Sequence, residues 1–149
     1  MEIRMRKAVL APVYFSLINE REAGELKEQL KVLENLYGDV ADFLEPVVVG
    51  EPIDETAEAI VFPQMIFEAF RVADTLAAYD MPMIVLTSKY GTVEMWDWEI
   101  VTYLRDLGCN VFSPYSVEIA KVVLRAIGAR SHLHQGAKFL MFQDSPGEG

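Results

Sequence analysis

The chain has 149 residues, 52% of them hydrophobic and 24% charged, enough for one domain with a sizeable core and the wrong balance for a disordered chain. A net charge of −10 argues against a protein that grips nucleic-acid backbones, because that task takes clustered Lys and Arg. The plain reading of the acidity is a well-solvated surface.

No uninterrupted apolar run approaches the roughly 20 residues of a membrane helix, so no membrane partner is expected. The basic start, Met1 to Lys7, leads into a short apolar stretch that contains Pro12. It lacks the apolar core and small-residue cleavage site of a signal peptide, which predicts a cytoplasmic protein. Cys109 is the single cysteine, so no disulfide forms within the chain and no thiolate pair can hold a metal.

Residues 8–15 are nearly all apolar, without alternation, and predict a central parallel strand buried on both faces. A helix is expected over 20–37, with Leu26, Leu30, Leu33 and Tyr37 on one face, Asn19 as N-cap and Gly38 just past the end. Residues 43–49 read as a second strand that Pro46 confines to an edge or shortens to begin at Val47. Residues 54–58 allow at most a single turn. Residues 59–62 form a short apolar strand, and a helix is predicted over 67–79 with Ile66, Phe70, Ala73 and Ala77 on its buried stripe.

The fourth strand is expected at 83–86. A helix follows at 94–107, with Trp96, Ile100, Tyr103 and Leu107 in register and Gly108 ending it. Residues 110–112 are the fifth strand, 116–127 a helix capped by Ser116, and 138–142 a sixth strand. Strands alternating with helices at short connections predict an α/β fold with a mainly parallel sheet of five or six strands covered on both faces. Residues 1–144 read as a single domain, and 145–149 as the start of a linker to a following domain.

In open parallel sheets, ligands bind beyond the carboxyl ends of the strands. No G-x-G-x-x-G follows the first strand and no G-x-x-x-x-G-K-[ST] occurs, which argues against dinucleotides and P-loop chemistry. Residues 15–19 are a poor version of a flavin-phosphate loop. A phosphoacceptor receiver would need an acidic pair that the first strand lacks. His132 and His134 form an H-x-H pair with no Cys, Asp or Glu nearby in sequence, and read as exposed connector histidines rather than metal ligands.

Cys109 lies at the amino end of a strand, away from the expected ligand edge, and is read as buried and inert. Trp98 falls off the core stripe, which suggests partial exposure at a subunit interface or a sugar-stacking site; ordinary packing competes with that reading. Lys89 and Tyr90, beside Gly91 in the loop after a central strand, can offer a cation, a phenol and backbone N–H groups to an oxygen-rich ligand. Gln64, just after another strand, can donate to and accept from a hydroxyl.

Two stretches carry a resemblance. One runs Ala-Ile-Val-Phe-Pro-Gln-Met-Ile-Phe-Glu-Ala-Phe-Arg from position 59, then Tyr-Asp-Met-Pro-Met-Ile-Val-Leu-Thr from position 79. The other combines Gly128-Ala129-Arg130 with Ala-Lys-Phe-Leu-Met-Phe-Gln-Asp-Ser-Pro-Gly from position 137. Together they resemble the amino-terminal domain of the L-fucose and L-arabinose isomerase superfamily and its crossover to the next domain. The likeness covers most of this chain and about the first third of such an enzyme. The first strand–helix connection departs from the glycine-containing motif of the arabinose isomerases.

The resemblance implies a flavodoxin-like three-layer sandwich. It also implies a part in carbohydrate metabolism, as a sugar-binding and homo-oligomer-forming domain that is not catalytic alone. In the family a divalent metal, usually manganese, polarises the sugar oxygens while acidic residues move the proton, and the metal ligands lie in later domains. No catalytic or metal-ligating residue is therefore assigned here. Tyr14, Gln64, Lys89, Tyr90, Glu94 and Trp96 are the positions expected nearest a monosaccharide. The alternatives are a stand-alone small-molecule-binding or regulatory module of flavodoxin or receiver type, and half of a periplasmic-binding-like protein.

Overall fold

A computed structural model describes residues 6–15, 19–63, 68–86, 95–114 and 116–133. The strands are β1 (Ala8–Tyr14), β2 (Ala41–Phe43), β3 (Val47–Val48), β4 (Ala59–Phe62), β5 (Met83–Val85) and β6 (Val111–Phe112). The helices are α1 (Glu20–Tyr37), α2 (Glu68–Arg71), α3 (Ala73–Ala77), α4 (Met95–Asp106) and α5 (Val117–Leu133).

Every described strand pairing is parallel, and the sheet order is β2-β1-β4-β5-β6, with β3 also paired to β1. Taking β2 and β3 as one interrupted edge strand, this is the 2-1-3-4-5 order of the flavodoxin-like doubly wound fold. The predicted sixth strand, 138–142, lies outside the described residues.

The edge strand is broken rather than continuous over 43–49. It starts at Ala41 and reaches Phe43 opposite Leu10, then resumes with Val47 opposite Val13. Four residues on the edge strand thus match three on β1, which is a bulge in the ladder. Pro46, which has no N–H to donate, falls in that interruption. Such a break also blunts an edge that would otherwise template pairing with another chain.

One face of the sheet packs Ala8, Leu10 and Ile84 against Leu33 and Tyr37 of α1 and Ala120, Leu124 and Ile127 of α5. The other packs Val13, Ile60, Phe62, Met83 and Val85 against Ala69, Ala73 and Leu76 of α2 and α3 and Ile100, Val101 and Leu104 of α4. The result is a three-layer sandwich with a core on each side of the sheet. Helix α1 starts where Asn19 accepts the N–H of Glu22 at 3.0 Å, and α5 where the Ser116 hydroxyl accepts the N–H of Ile119 at 3.2 Å, as sequence reading expects.

Four expectations are corrected. Gly38 does not adopt the left-handed turn of a post-helix glycine but stays right-handed, at φ −61°. The helix expected over 67–79 is divided at Val72, and its buried stripe is Ala69, Ala73 and Leu76, with Phe70 37% exposed and Ala77 at the surface. Among the described side chains of α4 the buried ones are Ile100, Val101 and Leu104, whereas Tyr103, and Leu107 just past the helix, are exposed. At about 100° per residue, the buried face lies some 80° round the helix from the expected stripe.

The fourth correction concerns α5, which continues through Gly128 to Leu133 instead of ending at Ile127 and so takes in His132. Gly128 is there because the chain entering β1 crosses it. A Cβ at this position would run into the backbone carbonyl oxygen of Arg6 and lie 2.9 Å from the backbone nitrogen of Ala8.

Candidate functional site

In this strand order the chain winds in opposite directions on either side of the β1–β4 pair, which makes the crevice above their carboxyl ends the expected ligand position. Tyr14 and Phe15 leave β1 there, and Phe62 and Pro63 leave β4. Phe15 stacks on Phe62 with ring centroids 6.0 Å apart, and both are buried. The described base of the crevice is therefore aromatic and apolar.

Helix α1 opens beside it, and its N-terminus is poorly suited to a phosphate. Asn19 already takes the N–H of Glu22, and Glu20 and Glu22 place two carboxylates in the first turn. An anion there would meet repulsion in place of the usual free donors. These residues do not fit the phosphate of a flavin nucleotide, the group that this fold class suggests at the switch point.

Of the six positions expected near a sugar, Tyr14 is the most fully described. It ends β1 half-buried, faces Val48 across the ladder, and its carbonyl accepts the N–H of Val49 at 3.0 Å. Val13 and Phe15 belong to the core under α2 to α4, so by alternation Tyr14 projects toward the α1–α5 layer. Trp96 stands at the second position of α4, in the opposite layer. Gln64, Lys89, Tyr90 and Glu94 lie outside the described residues. The strands that lead into their segments, β4 and β5, pair in parallel from Ile60–Met83 to Phe62–Val85.

Sequence reading missed a second concave surface. Phe70 of α2 and Trp98, Glu99, Thr102, Tyr103 and Asp106 of α4 line an open groove. The Phe70 and Tyr103 rings meet at 5.1 Å and 56°, a tilted pair. Trp98 is 38% exposed and Tyr103 40%, in keeping with the expectation that Trp98 stands partly outside the core. The Thr102 hydroxyl is already committed, donating to the Trp98 carbonyl at 2.8 Å. The available signal was the aliphatic set Ile100, Val101 and Leu104, which fills the core side of α4 without either aromatic residue.

Several other charged groups hold neighbouring segments together. Glu58 accepts the Val9 N–H at 3.1 Å and pairs with Arg6 at 3.4 Å, tying the start of β4 to β1. Asp54 accepts from the Thr56 N–H and hydroxyl, closing a turn, and these bonds lower its pKa. The Lys121 ammonium donates to Asp39 at 2.9 Å and lowers that carboxyl's pKa, joining α5 to the loop before β2. Cys109 is half-buried, and burial raises its thiol pKa, which disfavours the reactive thiolate.

Among the described residues, no three His, Cys, Asp or Glu side chains gather into a metal-binding group. None of the described helices is long and apolar enough to cross a membrane.

No family model matches the chain, and no curated protein matches it. Among solved structures, the chain is similar to a flavodoxin from the domain Archaea, at 17% identity and a TM-score of 0.39, over 82% of this chain and 94% of that one. The flavodoxin-like assignment rests on the strand order and the two helical layers described above.

Proposed function

We propose that this chain is the amino-terminal domain of a metal-dependent aldose–ketose isomerase, and that it contributes sugar recognition and subunit contact rather than proton transfer. One observation carries the reading. β1, β4 and β5 are adjacent and parallel, so their carboxyl ends lie at one edge of the sheet, and in sequence Tyr14 ends the first while Gln64 and Lys89 to Glu94 follow the other two. An ammonium, a phenol, a carboxamide and a carboxylate are suited to the hydroxyl groups of a monosaccharide. The resemblance of residues 59–87 to the sugar-isomerase superfamily names the substrate class.

On this reading Tyr14, Gln64, Lys89, Tyr90, Glu94 and Trp96 bind and orient the sugar, in a cytoplasmic homo-oligomer. Manganese would polarise the sugar oxygens from acidic and histidine residues outside this sequence. The described residues here do not fit the metal.

The test is the natural reading frame beyond Gly149 and the protein it encodes, assayed with manganese on L-fucose, L-arabinose and related aldoses. A longer chain that forms ketose, with Lys89→Ala and Gln64→Ala raising KM more than they lower kcat, supports the proposal. A natural stop at Gly149, or a longer protein that converts no aldose, overturns it in favour of a binding module.

A further inference from the structure

The groove between α2 and α4 has a composition that the sugar reading does not use. Its described lining is three aromatic rings (Phe70, Trp98 and Tyr103), two carboxylates (Glu99 and Asp106) and Thr102, with no cationic side chain among them. Residues 98, 99, 102, 103 and 106 fall within about 140° of one helical face, opposite the core residues Ile100, Val101 and Leu104. The nearest cation along α4, Arg105, is turned to the sheet, its Nε donating to the Val111 carbonyl at 2.9 Å. The groove is thus apolar at its rings and negative at its carboxylates.

We propose that this groove docks a protein segment that presents arginine. A guanidinium can lie flat on an indole or phenol ring and still direct its N–H fork at a carboxylate, which an ammonium does less well. Aromatic residues and arginine are also the side chains that most often anchor protein interfaces. The charge decides among the occupants. A second copy seated face to face would bring Glu99 and Asp106 against their own images on chains of net charge −10, a like-charge contact. A basic partner relieves that charge. The groove opens broadly to solvent and its described lining comes from two helices, so a segment laid along it covers more of the rings than a small cation could.

The probe is a capped alanine-based helical peptide with arginine at every fourth position, and a glutamine version as control. Binding to the full chain is followed by backbone amide NMR shifts at low and moderate salt. The arginine peptide is expected to shift the amides of residues 98–106 and to bind at least fivefold more tightly than the glutamine peptide. Glu99→Gln with Asp106→Asn, and separately Trp98→Ala, are each expected to weaken it about fivefold or more.

Glu28→Gln with Glu45→Gln removes the same charge at exposed positions away from the groove and is expected to leave binding within twofold. These substitutions are at the surface, and far-ultraviolet circular dichroism checks that each variant is folded. The proposal is overturned if the distant pair weakens binding as much as the groove pair, because net charge alone would then account for it. It is also overturned if the glutamine peptide binds equally, or if no shifts appear at millimolar peptide. Free arginine amide matching the peptide in affinity would mark a small-molecule site and overturn the docking assignment. None of these outcomes depends on isomerase activity, so they leave the sugar reading to its own test.

Discussion

The two faces of the sheet are covered in different ways. On one, α1 and α5 bury Leu26, Leu33 and Tyr37, and Ala120, Leu124 and Ile127, and expose no aromatic ring among the described residues. Ile119 and Val122 project from α5, but they are aliphatic. On the other face, α2 and α4 turn Phe70, Trp98 and Tyr103 outward and bury smaller residues beneath them. A helix with one apolar stripe has a single way to face a sheet. A helix with two stripes is oriented by whichever packs better, and here the compact aliphatic stripe lies inside. The aromatic stripe is left as a surface, which is how the groove on that side comes to exist.

Truncating one residue from each stripe of α4 separates the two stripes by the largest margin. Leu104 is fully buried, so Leu104→Ala is expected to lower stability by about 2–5 kcal/mol through lost burial and an unfilled cavity. Tyr103→Ala removes an exposed ring and is expected to cost about 1 kcal/mol, the worth of its pairing with Phe70. Urea unfolding measures both. Equal losses would mean that the aromatic stripe belongs to the core after all.

The α1–α5 face carries its own contrast in two helical glycines. Gly128→Ala would push a methyl group into the backbone of residues 6–8, and a loss of about 1–3 kcal/mol is expected. Gly24 has nothing within 4 Å of where its Cβ would stand. Gly24→Ala should therefore stabilise α1 by up to about 1 kcal/mol through higher helix propensity. Thermal melts of the two variants should move in opposite directions. A smaller effect of the same kind tests where α1 begins: Asn19→Ala is expected to cost about 1 kcal/mol in urea unfolding, because the Glu22 N–H loses its acceptor.

The smallest effect is on Tyr37, which is completely buried with a hydroxyl that has no hydrogen-bond partner among the described residues. Burial, with the Glu118 carboxylate adding to it, pushes its pKa up from 10.0 to about 12. A raised acid pKa favours the neutral folded form. Its contribution is fully present below pH 10 and is lost as pH climbs from about 10 toward about 12. Tyr37→Phe is expected to leave stability at neutral pH unchanged or raise it by less than about 1 kcal/mol, since an unpaired buried hydroxyl is removed. It should also flatten the loss of stability above pH 10, measured by urea unfolding across pH. A marked loss at neutral pH would instead reveal a bonded hydroxyl.

Much of the fold was legible along the chain because local rules carried it. The apolar run of β1, the β4 strand at Ala59–Phe62, and α1 with its Asn19 cap and its face of Leu26, Leu33 and Tyr37 all follow from periodicity and capping chemistry. So does the alternation that yields a parallel sheet. Of the candidate sugar positions, Gln64, Lys89 and Tyr90 were legible as loop positions after strands, Tyr14 as the end of the first strand, and Glu94 and Trp96 as the start of a helix. Of these, Tyr14 and Trp96 fall within described elements, at the end of β1 and in the first turn of α4.

Residue order by itself determined the class of fold, that Pro46 disturbs the second strand and the absence of a first-loop glycine motif for nucleotides. These depend on backbone chemistry and short-range spacing. Tertiary structure decided which stripe of α4 and of α2 faces the sheet, how far α5 runs past Gly128, and that Phe70 and Tyr103 meet outside the core. Those outcomes depend on how neighbouring helices fit a sheet whose width and twist no single segment encodes. Hydrophobic pattern says that a side chain prefers to leave water, but only close packing says which of two apolar faces is allowed to.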